Sequence, residues 1–233
     1  MNFRTELTPS TLDFKIDYNR QGLMLGSCFV ENIGAKMSEI KLPVSINPLG
    51  IIYNPASIAS TIERIASGKL IEPEELFFDG LLFRHYDLHS RFCATSASKA
   101  LEQMNAAIES AHTALTSSSY IILTLGTART YTLNSTKKIV CNCHKTPQKE
   151  FTSSVMSVAQ VVETLGKVIS KCLKDKQVIL TVSPIRHLKD GFEQNNRSKA
   201  ILTLACHELS CTNPNIHYFP AYDIMMDDLR DYR

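Results

Sequence analysis

The sequence predicts a single-domain α/β protein with a central, mainly parallel sheet and helices on both faces. Three observations carry this. Short, largely apolar runs (Leu23–Leu25, Tyr120–Leu125, Val178–Val182, Ile216–Phe219) read as strands buried on both sides. Amphipathic segments long enough for helices lie between them, so the two element types alternate. No internal repeat or low-complexity linker divides the 233 residues, a length that one large domain can hold.

Residues 1–20 are mixed, and the alternation of Leu12, Phe14 and Ile16 reads as a lead-in or an edge strand. The first strand runs into Gly26, where the backbone can turn sharply. Ser27 follows, then a helix to about residue 40 with apolar positions Phe29, Ile33, Met37 and Ile40. Residues 43–55 hold Pro43, Pro48, Pro55 and Gly50 and read as a loop. That loop also carries Leu49, Ile51, Ile52 and Tyr53, so it must pack against something. Asn54-Pro55 opens a helix bearing Ile58, Ile62 and Ile65, which Gly68 closes. Residues 70–97 are rich in aromatics and suggest a hairpin around Asp79-Gly80.

From Ser98, Leu101, Met104, Ile108, Ala111 and Leu115 share one stripe of a long helix. The strand from Tyr120 then ends in Gly126-Thr127. Residues 128–152 depart from the alternation with a polar hairpin and Cys141-Asn142-Cys143-His144. A second long helix carries Val155, Val158, Val162, Leu165, Ile169 and Cys172, and the strand after it stops at Ser183-Pro184. A third helix over about 195–210 precedes the last strand.

Composition narrows the function. Hydrophobic residues at 44% and charged residues at 21% are ordinary for a soluble protein. A net charge of +2 is too small to argue for nucleic acid or an anionic membrane. Seven cysteines at irregular spacing do not make a disulfide framework and suit a reducing compartment. Met1–Lys15 has no signal-like apolar core, and no apolar run approaches the ~20 residues of a membrane span. The expectation is a soluble, cytoplasmic protein with neither membrane nor nucleic acid as partner. The oligomeric state leaves no trace in the sequence.

In a doubly wound sheet, ligands collect beyond the carboxyl ends of the strands. Those ends are Gly26-Ser27, Gly126-Thr127, Ser183-Pro184-Ile185-Arg186-His187 and Pro220-Ala221-Tyr222-Asp223. The run strand, glycine, serine, helix lifts a hydroxyl beside main-chain N–H groups that suit an oxyanion. The same residues read equally well as a serine N-cap after a tight turn.

A serine nucleophile needs a base within reach. His112 and His207 fall on helices and His217 inside a strand, while His85 and His89 sit where they could rim a pocket. His144 and His187, after loop and strand-end motifs, are the favoured bases. Cys28, at a helix start, is a possible thiol nucleophile, but its side chain is expected to point away from Ser27 toward the core. Cys141, Cys143 and His144 are spaced too closely for an ordinary zinc site and have no second pair, so no metal is expected. Gly26 and the Gly50 loop lack phosphate-cradling spacing, so no nucleotide or other cofactor is expected.

These motifs resemble a known family. Gly26-Ser27-Cys28-Phe29 with Glu31-Asn32 is similar to the signature of the GSCFA domain family. Further resembling blocks follow in the family's order over about residues 20–233. They are Asn47-Pro48-Leu49-Gly50, Tyr53-Asn54-Pro55, Gly126-Thr127-Ala128, Asn142-Cys143-His144-Lys145, Ser183-Pro184-Ile185-Arg186-His187, Asn196 with Ser198-Lys199-Ala200, and Tyr218-Phe219-Pro220-Ala221-Tyr222. That family resembles the SGNH (GDSL-like) hydrolases, which implies a three-layer α/β/α, flavodoxin-like fold with Ser27 as nucleophile. The resemblance further implies that the N–H groups of Ser27 and Gly50 are oxyanion donors. Gly126 matches the third block, where Thr127 stands near the position of an asparagine, and Asn142 or Asn54 is the substitute. SGNH enzymes carry their base in a terminal Asp-x-x-His block. The chain reaches Asp231-Tyr232-Arg233 without one, so the expectation is one domain over 1–233 lacking that segment, with His187 or His144 as base.

The function expected is a serine esterase or acyl-transfer hydrolase acting on a small-molecule or glycan ester, such as an O-acetylated carbohydrate. Arg186 and the Tyr53-Asn54 loop would orient the substrate. The alternative is a non-catalytic SGNH-like module that binds a glycan or acyl group.

Overall fold

The computed structural model describes residues 6–9, 11–12 and 14–229. In chain order the elements are β1 (Gly22–Gly26), α1 (Cys28–Glu39), β2 (Val44–Ile46), α2 (Pro55–Ser67), β3 (Phe77–Phe78), β4 (Phe83–Arg84), α3 (Ala97–Ser117), β5 (Tyr120–Leu125), β6 (Arg129–Leu133), β7 (Ile139–Val140), β8 (Phe151–Val155), α4 (Val158–Cys172), β9 (Gln177–Val182), α5 (Phe192–Thr212), β10 (Ile216–Phe219) and the short α6 (Ala221–Asp223). Five strands form one parallel sheet in the order β2-β1-β5-β9-β10. The chain builds outward from β1 to β2, then crosses back to add β5, β9 and β10 on the other side. This is the flavodoxin-like order, and its reversal between β1 and β5 is where such sheets open a crevice for ligands. Gly26 pairs with Thr124, and Leu125 with Val182, so three strand ends stand level at that crevice.

Period-2 alternation separates the two faces of the sheet. Leu23, Leu25, Ile121, Leu123, Leu125, Leu180 and Val182 are fully buried against the main core. That face is covered by one continuous helix layer, α3 against α2, α2 against α4 and α4 against α5. The other face presents Met24, Ile122 and Ile179 to Phe29, Ile33 and Met37 of α1, across an apolar cavity of about 570 Å³ that Leu12, Phe14 and Ile16 also line. The stripe of α1 is therefore only partly covered, and Ile40 stays 58% exposed. Caps set the helix starts: Ser27, Asn54, Ser96 and Ser157 each accept a first-turn N–H.

Two expectations change, and for the N-terminal stretch the lead-in reading holds in the described residues. The region 43–55 contains β2, an edge strand of three residues whose signal is masked by Pro43 and Pro48. Val155 ends β8 and lies 41% exposed, so α4 begins at Val158 behind its Ser157 cap. The described part of residues 6–20 carries no strand. The aromatic excursion does hold the β3–β4 hairpin, and the polar stretch folds as the antiparallel sheet β7-β6-β8 beside the strand ends. The terminal Asp231-Tyr232-Arg233 lies outside the described residues.

Candidate active site

The end of β1 lies under a strap made by residues 47–52. Gly26 has φ of +144°, and a Cβ there would run into the Thr124 carbonyl oxygen. Its N–H donates to Asn47 Oδ1 at 2.9 Å, and its carbonyl accepts from Ile52 N–H at 2.9 Å. Asn47 takes the left-handed conformation (φ +41°) and is fully buried. Arg91 Nη2 holds the strap from outside, donating to Asn47 O at 2.6 Å and Pro48 O at 3.0 Å.

Ser27 is fully buried beneath this strap. Its Oγ accepts the Phe29 N–H at 3.3 Å, the N-cap geometry, and its own N–H reaches Thr124 O at 3.3 Å. The other nominated main-chain donors are paired more closely. Gly50 N–H donates to Asn47 O at 2.8 Å, and Gly126 and Thr127 both donate to Tyr53 O at 2.8 and 3.0 Å. Cys28 is half-buried rather than in the core, contrary to the expectation for its side chain.

Beyond the ends of β5 and β9 opens a pocket of about 530 Å³. Tyr53, Asn54, Thr127, Asn142, His144 and His187 line it, and Arg129, Lys145 and Lys189 add positive charge. Ser27 does not border it. His187 stands over Gly126, where a Cβ would lie 3.3 Å from its Nε2. Its main-chain N–H donates to Asn195 Oδ1 at 3.0 Å, and its ring meets Tyr53 edge-on at 5.2 Å. Nε2 is buried with no hydrogen-bond partner among the described residues. Burial, helped by the charge of Lys199, pushes the His187 pKa down. At neutral pH the imidazole is uncharged and can accept a proton.

His144 has φ of +50°, and its Nε2–H donates to His85 O at 2.8 Å, which leaves Nδ1 unprotonated. Burial also lowers its pKa. Asn142 is held between Tyr86 O and Leu88 O, and Asn54 Oδ1 caps α2 by accepting from Ser57 N–H. Arg186 turns instead toward Phe192 and Met226 and does not border the pocket. Cys141 and Cys143 both border the pocket, but the Cys141 thiol donates to Ser57 O of α2, and burial pushes it up to about 12. Among the described residues, no group of three or more His, Cys, Asp or Glu is placed to hold a metal ion.

Sequence reasoning gave no role to two groups that shape this rim. One is Asn47, whose Oδ1 fixes Gly26 while its Nδ2 is buried without a partner. The other is the inward polar face of α5. Asn195 holds His187, Ser198 Oγ accepts the Ala128 N–H at 2.7 Å, and Lys199 Nζ reaches Gly126 O and Ser183 O. Their 195, 198, 199 spacing was the available signal, since it puts three polar side chains on one helical face.

In comparisons with known proteins, a family model described as the GSCFA family matches residues 22–233. No curated protein and no solved structure matches.

Proposed function

Given that the chain belongs to the GSCFA family, we propose that it is a serine hydrolase that cleaves an ester through Ser27. The observation that carries this reading is positional. Ser27 stands at the start of α1, at the reversal of strand order, on the same rim as an uncharged His187 with an unpartnered Nε2. Ser27 Oγ attacks the acyl carbon while its proton passes to the histidine, and the carbonyl electron pair moves onto oxygen. Collapse of that intermediate expels the alcohol, which takes the proton back, and water releases the acyl group by the same two steps. The N–H groups of Ser27 and Gly50 would receive the oxyanion in place of their present acceptors, Thr124 O and Asn47 O, so turnover requires both bonds to break and the 47–52 strap to rearrange over Ser27.

The substrate we favour is an O-acetylated carbohydrate. Tyr53 and Tyr131 offer ring surfaces to a sugar, and Asn54, Asn142 and Thr127 offer polar groups around it. The seven free cysteines support a reducing compartment such as the cytoplasm. No helix of the described residues is long and apolar enough to cross a membrane.

A second reading is favoured by the burial of Ser27 and the use of its Oγ as a cap. In that reading the 530 Å³ pocket binds a glycan without turnover. A fluorophosphonate probe followed by peptide mapping separates the two. Label on Ser27 that disappears in Ser27→Ala supports the hydrolase. An unlabelled protein that still binds acetylated oligosaccharide supports the binding module.

A further inference from the structure

Lysine is almost never fully buried without an acidic partner, yet Lys199 is 1% exposed and makes no ion pair among the described residues. Its Nζ donates instead to two main-chain carbonyls, Gly126 O at 2.7 Å and Ser183 O at 2.6 Å. These are the residues at which β5 and β9 part. The last bond between the two strands is Ser183 N–H to Leu125 O at 2.9 Å. One side chain thus bridges both strand ends where the ladder stops.

We propose that Lys199 is a positioning residue of the switch-point site, tying Gly126 to Ser183 and so fixing how His187 stands over Gly126. Its neighbours on α5 complete the frame. Asn195, one turn earlier, takes the His187 N–H, and Ser198 takes the Ala128 N–H and meets Thr127 Oγ1 at 3.1 Å. Together the three side chains hold both halves of the pocket floor from beneath.

A methionine or leucine would fill the same volume without desolvating an ammonium, and such replacements of buried charge are often neutral or stabilising. What they would not supply is two donors and a positive charge beside the imidazole. Burial brings the Lys199 pKa down to about 7, opposed by the thiol of Cys28 on α1, and its charge helps lower that of His187. The other ionisable groups lining the His187 pocket are the Tyr53 phenol before α2, the Arg129–Asp190 pair at the pocket wall, Lys189 beside Asp190, and Arg84, Cys143, His144 and Lys145 across the opening.

The test compares wild type with Lys199→Met and Lys199→Arg. The His187 ring is followed by NMR through a pH titration, with His187→Asn used for assignment. The expected result is a midpoint moved upward in Lys199→Met and restored toward wild type in Lys199→Arg. Ester turnover, the arm that rests on the hydrolase reading, should fall about 10²-fold in Lys199→Met, as a misplaced catalytic group would produce. An unmoved His187 midpoint in a folded Lys199→Met protein overturns the proposal. If that variant does not fold, wild type decides: the His187 signal should show a second inflection as Lys199 titrates, and a single inflection overturns the proposal. Absence of turnover in wild type would count against the hydrolase reading alone and leave the titration result standing.

Discussion

Replacing Lys199 by methionine should remove one pH dependence from the folding free energy. In the unfolded chain this lysine titrates near 10.5, and in the fold near about 7. Between those values the unfolded state carries a proton that the native state does not. The lysine's contribution is therefore fully present above 10.5 and is lost as pH falls through about 7. The slope in this window is about 1.4 kcal/mol per pH unit. Methionine contributes no such slope, but leaves the carbonyls of Gly126 and Ser183 unpaired at roughly 1–3 kcal/mol each, whatever the pH. The stability of wild type relative to Lys199→Met should therefore be about 2 kcal/mol greater at pH 9 than at pH 7, whichever protein is the more stable overall. Urea denaturation of both proteins at the two pH values reads this directly, and cysteines and tyrosines that titrate in the same range cancel in the difference. A gap that stays constant would refute the claim that Lys199 is buried as an uncompensated cation.

The strap and the candidate base make further predictions. Asn47→Ala should lower stability by roughly 1–3 kcal/mol, because the buried Gly26 N–H loses its acceptor; an unchanged urea midpoint would remove Asn47 from the account. Arg91→Ala removes the guanidinium bonds to Asn47 O and Pro48 O and should raise fluorophosphonate labelling of Ser27 several-fold, whereas equal or slower labelling would mean the strap is not what covers the serine. Because the His187 pKa is lowered, labelling should hold steady through neutrality and fall only as acid protonates the ring, below the ordinary histidine range. His187→Asn should abolish it, and a profile that falls above pH 7 would point to another base.

Much of the fold was legible because it rests on apolar runs. Tyr120–Leu125 is apolar at five of its six positions and was bounded correctly, while Val44–Ile46 is three residues between prolines and carries too little pattern to be read. The sequence also brought Gly26, Gly126 and His187 to one rim, since topology alone places strand ends together. It could not reveal that the N–H groups of Gly50, Gly126 and Thr127 are taken up by Asn47 and Tyr53, because these bonds depend on how a loop lies. Lys199 was hidden for a related reason. Its meaning comes from the direction of one face of α5, and the block Ser198-Lys199-Ala200 suggests no role for the ammonium until both carbonyls are in view.

The strand order bears on how the chain acquires its site. β1 and β5 lie side by side, yet Gly22 pairs with Tyr120, far along the chain. Contacts of such long sequence separation close late and slow the folding of parallel sheets. During synthesis from the N-terminus, Gly26-Ser27-Cys28 emerges well before the strand whose carbonyl receives the Ser27 N–H. The future switch-point residues therefore pass through a period when hydroxyl and thiol are open to the surroundings, and the burial seen in the finished protein is completed by the second half of the molecule.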